Sequence, residues 1–301
     1  MFAKNENFFH KLYPGDYMFK LFTFRQLAIT SFILCVIMLL LSVTNIVTPC
    51  VGVSSQNTKA VPIIMYHQIT TDSQGNDYVL PLKILREDFE YIKKNNFTPV
   101  SLNALFQYMK NGKPLPEKPV VITFDDGQKS FLTRVVPLLE EYSYPANVNI
   151  IGSLVELYTN NQDNNDRYAY LNADDIKTLF AHPLVEIGCH SYNLHNLNDR
   201  KGMGKIKSES EEEYAEIIKK DIDDFQNLYF SLTGEKNIYL ALPYGIKNKA
   251  LISIAENEGF LFVLTCREGT NQLSVGSNLY ELGRFNRTYG KSTKTFFEII
   301  S

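Results

Sequence analysis

Tryptophan is missing from all 301 residues, and only four cysteines and five histidines are present. Without Trp, stacking on the flat face of a ligand falls to the 18 tyrosines and 20 phenylalanines. Four cysteines make no disulfide framework. Cys35 lies in an apolar run, Cys50 at its edge, and Cys189 and Cys266 in strand-like stretches where buried free thiols are expected. Excess positive charge is lacking too: 30 Lys+Arg against 33 Asp+Glu gives a net charge of −3, which argues against a nucleic-acid-binding surface. No internal repeat is visible. What remains, 45% hydrophobic and 21% charged, is the composition of a globular protein able to bury a large core.

Charge is absent altogether between Arg25 and Lys59. Within that gap Leu27–Val47 (LAITSFILCVIMLLLSVTNIV) runs for 21 residues, and about 20 apolar residues cross a hydrocarbon core as a helix. Lys4, Lys11, Lys20 and Arg25 precede it against Glu6 and Asp16, whereas only Lys59 follows before Asp72. The positive-inside rule then puts the N-terminus in the cytoplasm and the rest outside. A cleaved signal peptide would have an apolar core of roughly 7–15 residues and a small-residue site, weakly offered by Val51–Ser55, so an uncleaved anchor is the favoured reading. Thr48-Pro49 before Cys50 speak against a lipoprotein. The expected organisation is a cytoplasmic stub at 1–25, a transmembrane anchor or signal segment at 26–48, a linker at 49–60 and one domain at 61–301. Setting the stub aside leaves the outer part more acidic than the whole-chain charge implies.

Brief apolar runs bounded by polar or Gly/Pro residues are expected as buried parallel strands at Val61–Tyr66, Val120–Phe124, Ala146–Ile151, Leu184–Gly188, Ile238–Leu242, Leu261–Thr265 and Tyr280–Phe285. Helical patterns separate them at Arg86–Asn95, Asn103–Asn111, Leu132–Tyr142, Ala173–Ala181, Glu211–Leu232 and Asn248–Glu258. In the fifth, Ile218, Ile222, Phe225 and Tyr229 recur at helical spacing behind an acidic first turn. Strands alternating with helices predict one α/β barrel or doubly wound domain. Thr159–Arg167 (TNNQDNNDR) has no periodicity and reads as a mobile surface insertion.

In a parallel barrel, chemistry gathers where strands end. Three runs are followed there by metal-capable or acid–base residues: His67 after the first, Asp125-Asp126-Gly127 after the second, and His190 with His195 after the fourth. A further run leads into Pro243-Tyr244-Gly245. Two histidines and a carboxylate commonly hold Zn²⁺ or a related cation with positions left open, and such an ion lowers the pKa of a coordinated water to roughly 7. Adjacent aspartates cannot easily point at one atom, so one can ligate while the other acts as base. The pattern suits hydrolysis of an unactivated amide or ester. His10 and His182 stand apart from it.

Thr123-Phe124-Asp125-Asp126-Gly127, His190-Ser191 with His195, and Leu242-Pro243-Tyr244-Gly245 resemble the successive motifs of the polysaccharide deacetylases, carbohydrate esterase family 4, over about residues 61–300. The resemblance implies a distorted (β/α)7-type barrel, the NodB homology fold, here preceded by one transmembrane helix. It also implies metal-dependent removal of acetyl from N-acetylglucosamine units of a polysaccharide. Three departures stand out: His190 and His195 are five apart where four is usual, Ala241 stands where an Arg is usual, and no Leu-x-His lies near the C-terminus. All three resemble the branch of poly-β-1,6-N-acetylglucosamine deacetylases, which also open with a Tyr-His pair, here Tyr66-His67.

Carried over residue by residue, the resemblance implies Asp126, His190 and His195 as ligands of a divalent metal, zinc first, with cobalt, nickel or iron as alternatives. Asp125 would be the base, His67 the acid that protonates the departing amine, and the Tyr244 backbone N–H an oxyanion donor. Arg284 is expected to supply the charge missing at Ala241 and to hold Asp125. Tyr192 and Tyr244 are the nearest candidates for sugar stacking. Two other functions fit the same pattern: an O-acetyl esterase on xylan or cell-wall glycan, and a catalytically silent glycan-binding protein.

Overall fold

The computed structural model describes residues 29, 31–33, 58–277 and 280–300. The chain divides into two units, Met1–Ser55 and Gln56–Ser301, and all but four of the described residues belong to the second. Apart from Ile29 and Ser31–Ile33, which are helical, the expected membrane-crossing stretch Leu27–Val47 lies outside the described residues. Among the described residues no helix is long and apolar enough to cross a membrane.

The second unit is built on one curled parallel sheet. Its main strands are β1 (Ile63–Tyr66), β2 (Pro119–Phe124), β3 (Ala146–Ile150), β4 (Val185–Cys189), β5 (Tyr239–Ala241), β6 (Phe262–Leu264), β7 (Tyr280–Leu282) and β8 (Phe285–Asn286), in the order β7-β6-β5-β4-β3-β2-β1-β8, with the two-residue strand Thr98–Pro99 pairing with β2 off this path. All seven expected runs form strands. The last one splits: β7 pairs with β6 at one edge and β8 with β1 at the other, so Gly283 and Arg284 bridge the two edges and the half-barrel closes on itself. The crossing is tight. A Cβ on Gly283 would lie 2.5 Å from the Arg267 carbonyl, and the Asn271 side chain holds the Gly283 backbone on both sides, accepting from its N–H at 2.8 Å and donating to its carbonyl at 2.9 Å.

Strand parity sorts the side chains. Successive residues of a strand point to opposite faces, and Val120, Ile122 and Phe124, like Ile64, Tyr66, Val148, Ile150, Ile187 and Cys189, pack outward in the core beneath the helices. The alternating set faces inward. Toward the strand starts it is apolar, where Ile63 and Val121 pack with Leu102, Leu105 and Met109 of the helix Leu102–Asn111 that plugs the barrel. Higher up the same parity carries Thr123, Asn147 and Asn149, all buried. Gly188 sits opposite them because a Cβ there would lie 2.0 Å from the Asn149 Oδ1. Tyr66 pairs with Phe124 and Phe124 with Val148, whereas Cys189 pairs with Ile150, so β4 runs two residues further in register than β1 and β2 before it ends.

The outer layer comprises α1 (Leu82–Lys94), α2 (Leu102–Asn111), α3 (Val136–Tyr142), α4 (Gly152–Asn161), α5 (Ala173–Phe180), α6 (Glu211–Thr233), α7 (Lys249–Asn257) and α8 (Thr293–Ile300). The six expected helices are present, and α4 and α8 are additions. α6 starts in a capping box between Ser210 and Glu213 and buries Ile218, Ile222, Phe225 and Tyr229. The helix expected at Leu132–Tyr142 begins instead as a wide π-turn over Phe131–Val135, because Pro137 has no N–H for the regular ladder.

Thr159–Arg167 is a correction to the expected mobile insertion. It ends α4 and then forms an arch of Asx turns, in which Asn161, Asp163 and Asn165 each accept from the backbone N–H two residues on, at 2.9 to 3.1 Å. Asp166 pairs with Arg134 at 2.8 Å, and Asn164 accepts from Lys129 Nζ at 2.9 Å. Cys189 and Cys266 are free thiols, the first buried and the second partly so.

Candidate active site

Inward parity at the ends of three strands puts His67, Asp125 and His190 on one mouth of the barrel, each the residue just after a strand. Asp126 would by alternation turn away, but its φ of 72° lies in the left-handed region. That costs backbone strain in a non-glycine residue, and it brings two successive carboxylates to one cavity.

Asp126 Oδ1 stands 3.3 Å from His195 Nε2 and 3.6 Å from His190 Nε2. The three ligand atoms lie within 4.8 Å of one another. Donors held at about 2.1 Å by one tetrahedral ion stand about 3.4 Å apart, so the spacing fits a single Zn²⁺-sized cation. The tautomer fits as well: His190 Nδ1 donates to the Ala241 carbonyl at 2.8 Å, which leaves the Nε2 lone pair free for a metal. Burial lowers the pKa of His190 to about 4 and also lowers that of His195, keeping both rings neutral at pH 7. Burial, with the charge of Asp125 adding and that of His67 opposing, pushes Asp126 up to about 6.

Asp125 is differently set. Arg284 grips it with two hydrogen bonds of 2.7 and 2.8 Å, and Asn149 donates to its Oδ1 at 2.8 Å. Burial alone would raise its pKa, but the Arg284 charge, aided by His190 and His67, holds it well below the usual carboxylate range. Its Oδ2 lies 4.0 Å from His190 Nε2. A carboxylate favoured in its ionised form therefore stands beside the cluster. Arg284 itself is fixed by donating from Nε to the Thr265 carbonyl at 3.1 Å.

His67 and Tyr244 line the same mouth. His67 is half-buried, with the Tyr78 ring edge-on at 5.1 Å. Tyr244 occupies a single 3₁₀ turn with φ 57°, its ring 4.8 Å from that of His195 and its hydroxyl 3.5 Å from His195 Nδ1. Tyr192 points elsewhere, because its hydroxyl donates to Glu156 of α4, so stacking at the mouth falls to other rings. His182 contacts Glu140 on the outside.

Three contributors escape a sequence reading. Asn149 was legible in principle, since Asn147 and Asn149 are the polar alternate positions of an otherwise apolar strand. Asp221 also left a trace, sitting three residues from Ile218 on the buried stripe of α6. It accepts from the backbone N–H of Tyr192 at 2.8 Å and Asn193 at 2.7 Å, and so pins the loop between the two histidines. Tyr170, which approaches Asp126 through the arch, left none.

Residues 112–263 match the sequence model of the family described as polysaccharide deacetylase. The chain is 28% identical over 258 residues to the poly-beta-1,6-N-acetyl-D-glucosamine N-deacetylase of Escherichia coli (strain K12), an alignment covering 79% of this chain and 38% of that protein, so it spans well under half that relative's length. It is 24% identical over 215 residues to the protein of the same name from Staphylococcus aureus (strain N315), covering 71% of this chain and 70% of the relative. Among solved structures, the de-N-acetylase from Aggregatibacter actinomycetemcomitans shares the fold with a TM-score of 0.70 at 22% identity, over 80% of this chain and 100% of the other. Since the matched residues make up half of this chain and contain Asp125, Asp126, His190, His195 and Tyr244, the chain belongs to the polysaccharide deacetylase family.

Proposed function

We propose that this protein hydrolyses N-acetyl groups from N-acetylglucosamine units of an extracellular or cell-wall polysaccharide, with the poly-β-1,6-linked polymer as first candidate. One observation carries the reading: an ionised carboxylate, Asp125, clamped by Arg284 with its Oδ2 turned toward the cluster of Asp126, His190 and His195. The names of the relatives support the substrate.

Asp126, His190 and His195 would hold the metal. A divalent ion there, zinc first and cobalt, nickel or iron otherwise, supplies Lewis-acid polarisation of the acyl oxygen and a more acidic water. Asp125 accepts the proton of the attacking water. The Tyr244 backbone N–H donates to the oxygen that becomes negative in the tetrahedral adduct; such a donor is worth roughly 10²–10³ in rate. His67 delivers a proton to the departing sugar nitrogen, which leaves as an amine while acetate is released.

The location is part of the proposal. The apolar Leu27–Val47 with its cationic N-terminal flank supports a single-pass anchor in the cell membrane and a catalytic domain on the outer side, or a secreted domain if the segment is cleaved. Protection of the C-terminal domain from protease added to intact cells would refute it.

The direct test is acetate release by full-length, zinc-loaded protein from poly-β-1,6-N-acetylglucosamine, chitin oligomers, peptidoglycan and acetylxylan in parallel. Release chiefly from an N-acetylglucosamine polymer is expected. Release chiefly from acetylxylan makes the protein an O-acetyl esterase, and glycan binding without release makes it a catalytically silent binding protein.

A further inference from the structure

A polymer substrate must be held on either side of the unit that reacts, and sugar rings are held by the flat faces of aromatic side chains. With no tryptophan in the chain and Tyr192 turned toward Glu156, a ring pair in addition to Tyr244 and Tyr78 comes from α4 and the segment that follows its arch. Residues 169–171 run against 127–129: Lys129 N–H donates to the Ala169 carbonyl at 2.8 Å and Leu171 N–H to the Gly127 carbonyl at 2.9 Å, with Tyr170 bridged to Gln128. Tyr170 is thereby fixed two residues along from the ligand candidate Asp126. Tyr158 of α4 lies against it, ring centroids 5.4 Å apart at 42°, and both rings are only half-buried. The arch is also tied to the loop that follows His67, through Arg167 and Asp72 at 3.0 Å. This pair is therefore braced from both sides of the mouth.

We propose that Tyr158 and Tyr170 form the platform on which the sugar next to the reacting unit stacks, making them determinants of specificity for polymer over small substrates. The inference rests on the deacetylase reading above. Its test is steady-state acetate release by the full-length, zinc-loaded protein from β-1,6-linked N-acetylglucosamine oligomers, monomer to pentamer, beside hydrolysis of a small aryl acetate. Tyr158→Ala should raise KM for the pentamer about fivefold, equivalent to about 1 kcal/mol, with kcat and ester turnover changed less than twofold. Tyr170→Phe, which keeps the ring, should hold the pentamer KM near the wild-type value, and Tyr170→Ala should not. Pentamer KM unmoved by Tyr158→Ala in an active enzyme, or ester turnover lost by the same factor, overturns the platform alone. Wild-type protein that cleaves the ester and no oligomer overturns the deacetylase reading and the platform together.

Discussion

Arg284 and Asp125 form a two-pronged ion pair, 2.7 and 2.8 Å, in which neither side chain is more than 2% exposed. The arginine comes from the bridge that closes the barrel and the aspartate from the end of β2, two strands along from β8. A buried charge stripped of its partner is strongly destabilising, by about 3–5 kcal/mol, and an aspartate freed from a guanidinium at this burial regains a raised pKa. Arg284→Ala should therefore lower the melting temperature and move the acidic limb of the kcat/KM–pH profile to higher pH, with Arg284→Lys intermediate. The stability term has a definite sign. The folded pKa of Asp125 is depressed, so its contribution is complete above the ordinary aspartate pKa of about 3.9 and is lost as pH falls below it. Thermal melts and pH–rate profiles of both variants check this; an unmoved acidic limb would separate Arg284 from the ionisation of Asp125.

The two adjacent aspartates should come apart in a metal titration. Only Asp126 stands within 3.3 to 3.6 Å of both histidine Nε2 atoms, whereas the Asp125 oxygens are engaged by Arg284 and Asn149. Asp126→Asn should weaken zinc binding by at least tenfold in calorimetry. Asp125→Asn should keep zinc and lose turnover by 10² or more, the usual range for a general base. Zinc lost from Asp125→Asn and kept by Asp126→Asn would mean that their roles are reversed.

What the sequence made legible follows from parity and position. Phe124 and Asp125 must face opposite ways at the end of a buried strand, and Tyr66-His67 and Cys189-His190 repeat that arrangement, so one mouth collects all three polar side chains. Arg284 was reachable only as an expectation, because its approach to Asp125 depends on a strand that breaks at Gly283 and joins both edges of the sheet. The reach of Tyr170 was not legible at all. It depends on an arch that polar composition made look unstructured, whose Asx turns are side-chain specific and whose contact with the buried Lys129 is long-range. Tyr192 misled for a related reason: sequence adjacency to two candidate ligands says nothing of direction once the intervening backbone is pinned by Asp221.

His67 is the proposed acid, half-buried at the top of β1. It takes no part in the cluster of Asp126, His190 and His195, so His67→Ala should leave zinc affinity within about twofold while lowering kcat on an N-acetyl substrate by roughly 10²–10⁴. An aryl acetate, whose leaving group needs no proton, should suffer much less. Equal losses on the two substrates would remove His67 from the role of acid.

Asp221 offers the sharpest pH signature. Burial is the main cause that pushes its pKa up to about 6, against the backbone N–H groups of Asn193 and Tyr192 that favour the charged form. Between about pH 4 and pH 6 the folded protein then holds a proton that the unfolded chain has released, so this group's contribution to stability falls as pH rises through that window. Asp221→Asn cannot titrate and has one oxygen in place of two acceptors. Its melting temperature should lie below wild type at pH 4 by a margin that narrows toward pH 6. The loop it releases carries His195 two residues beyond Asn193, and loss of an outer contact of this kind typically costs 10–100-fold in metal affinity; zinc binding at pH 7.5 should weaken by about tenfold. Parallel melting curves across the window, with zinc affinity unchanged, would show that the loop holds its shape without the carboxylate.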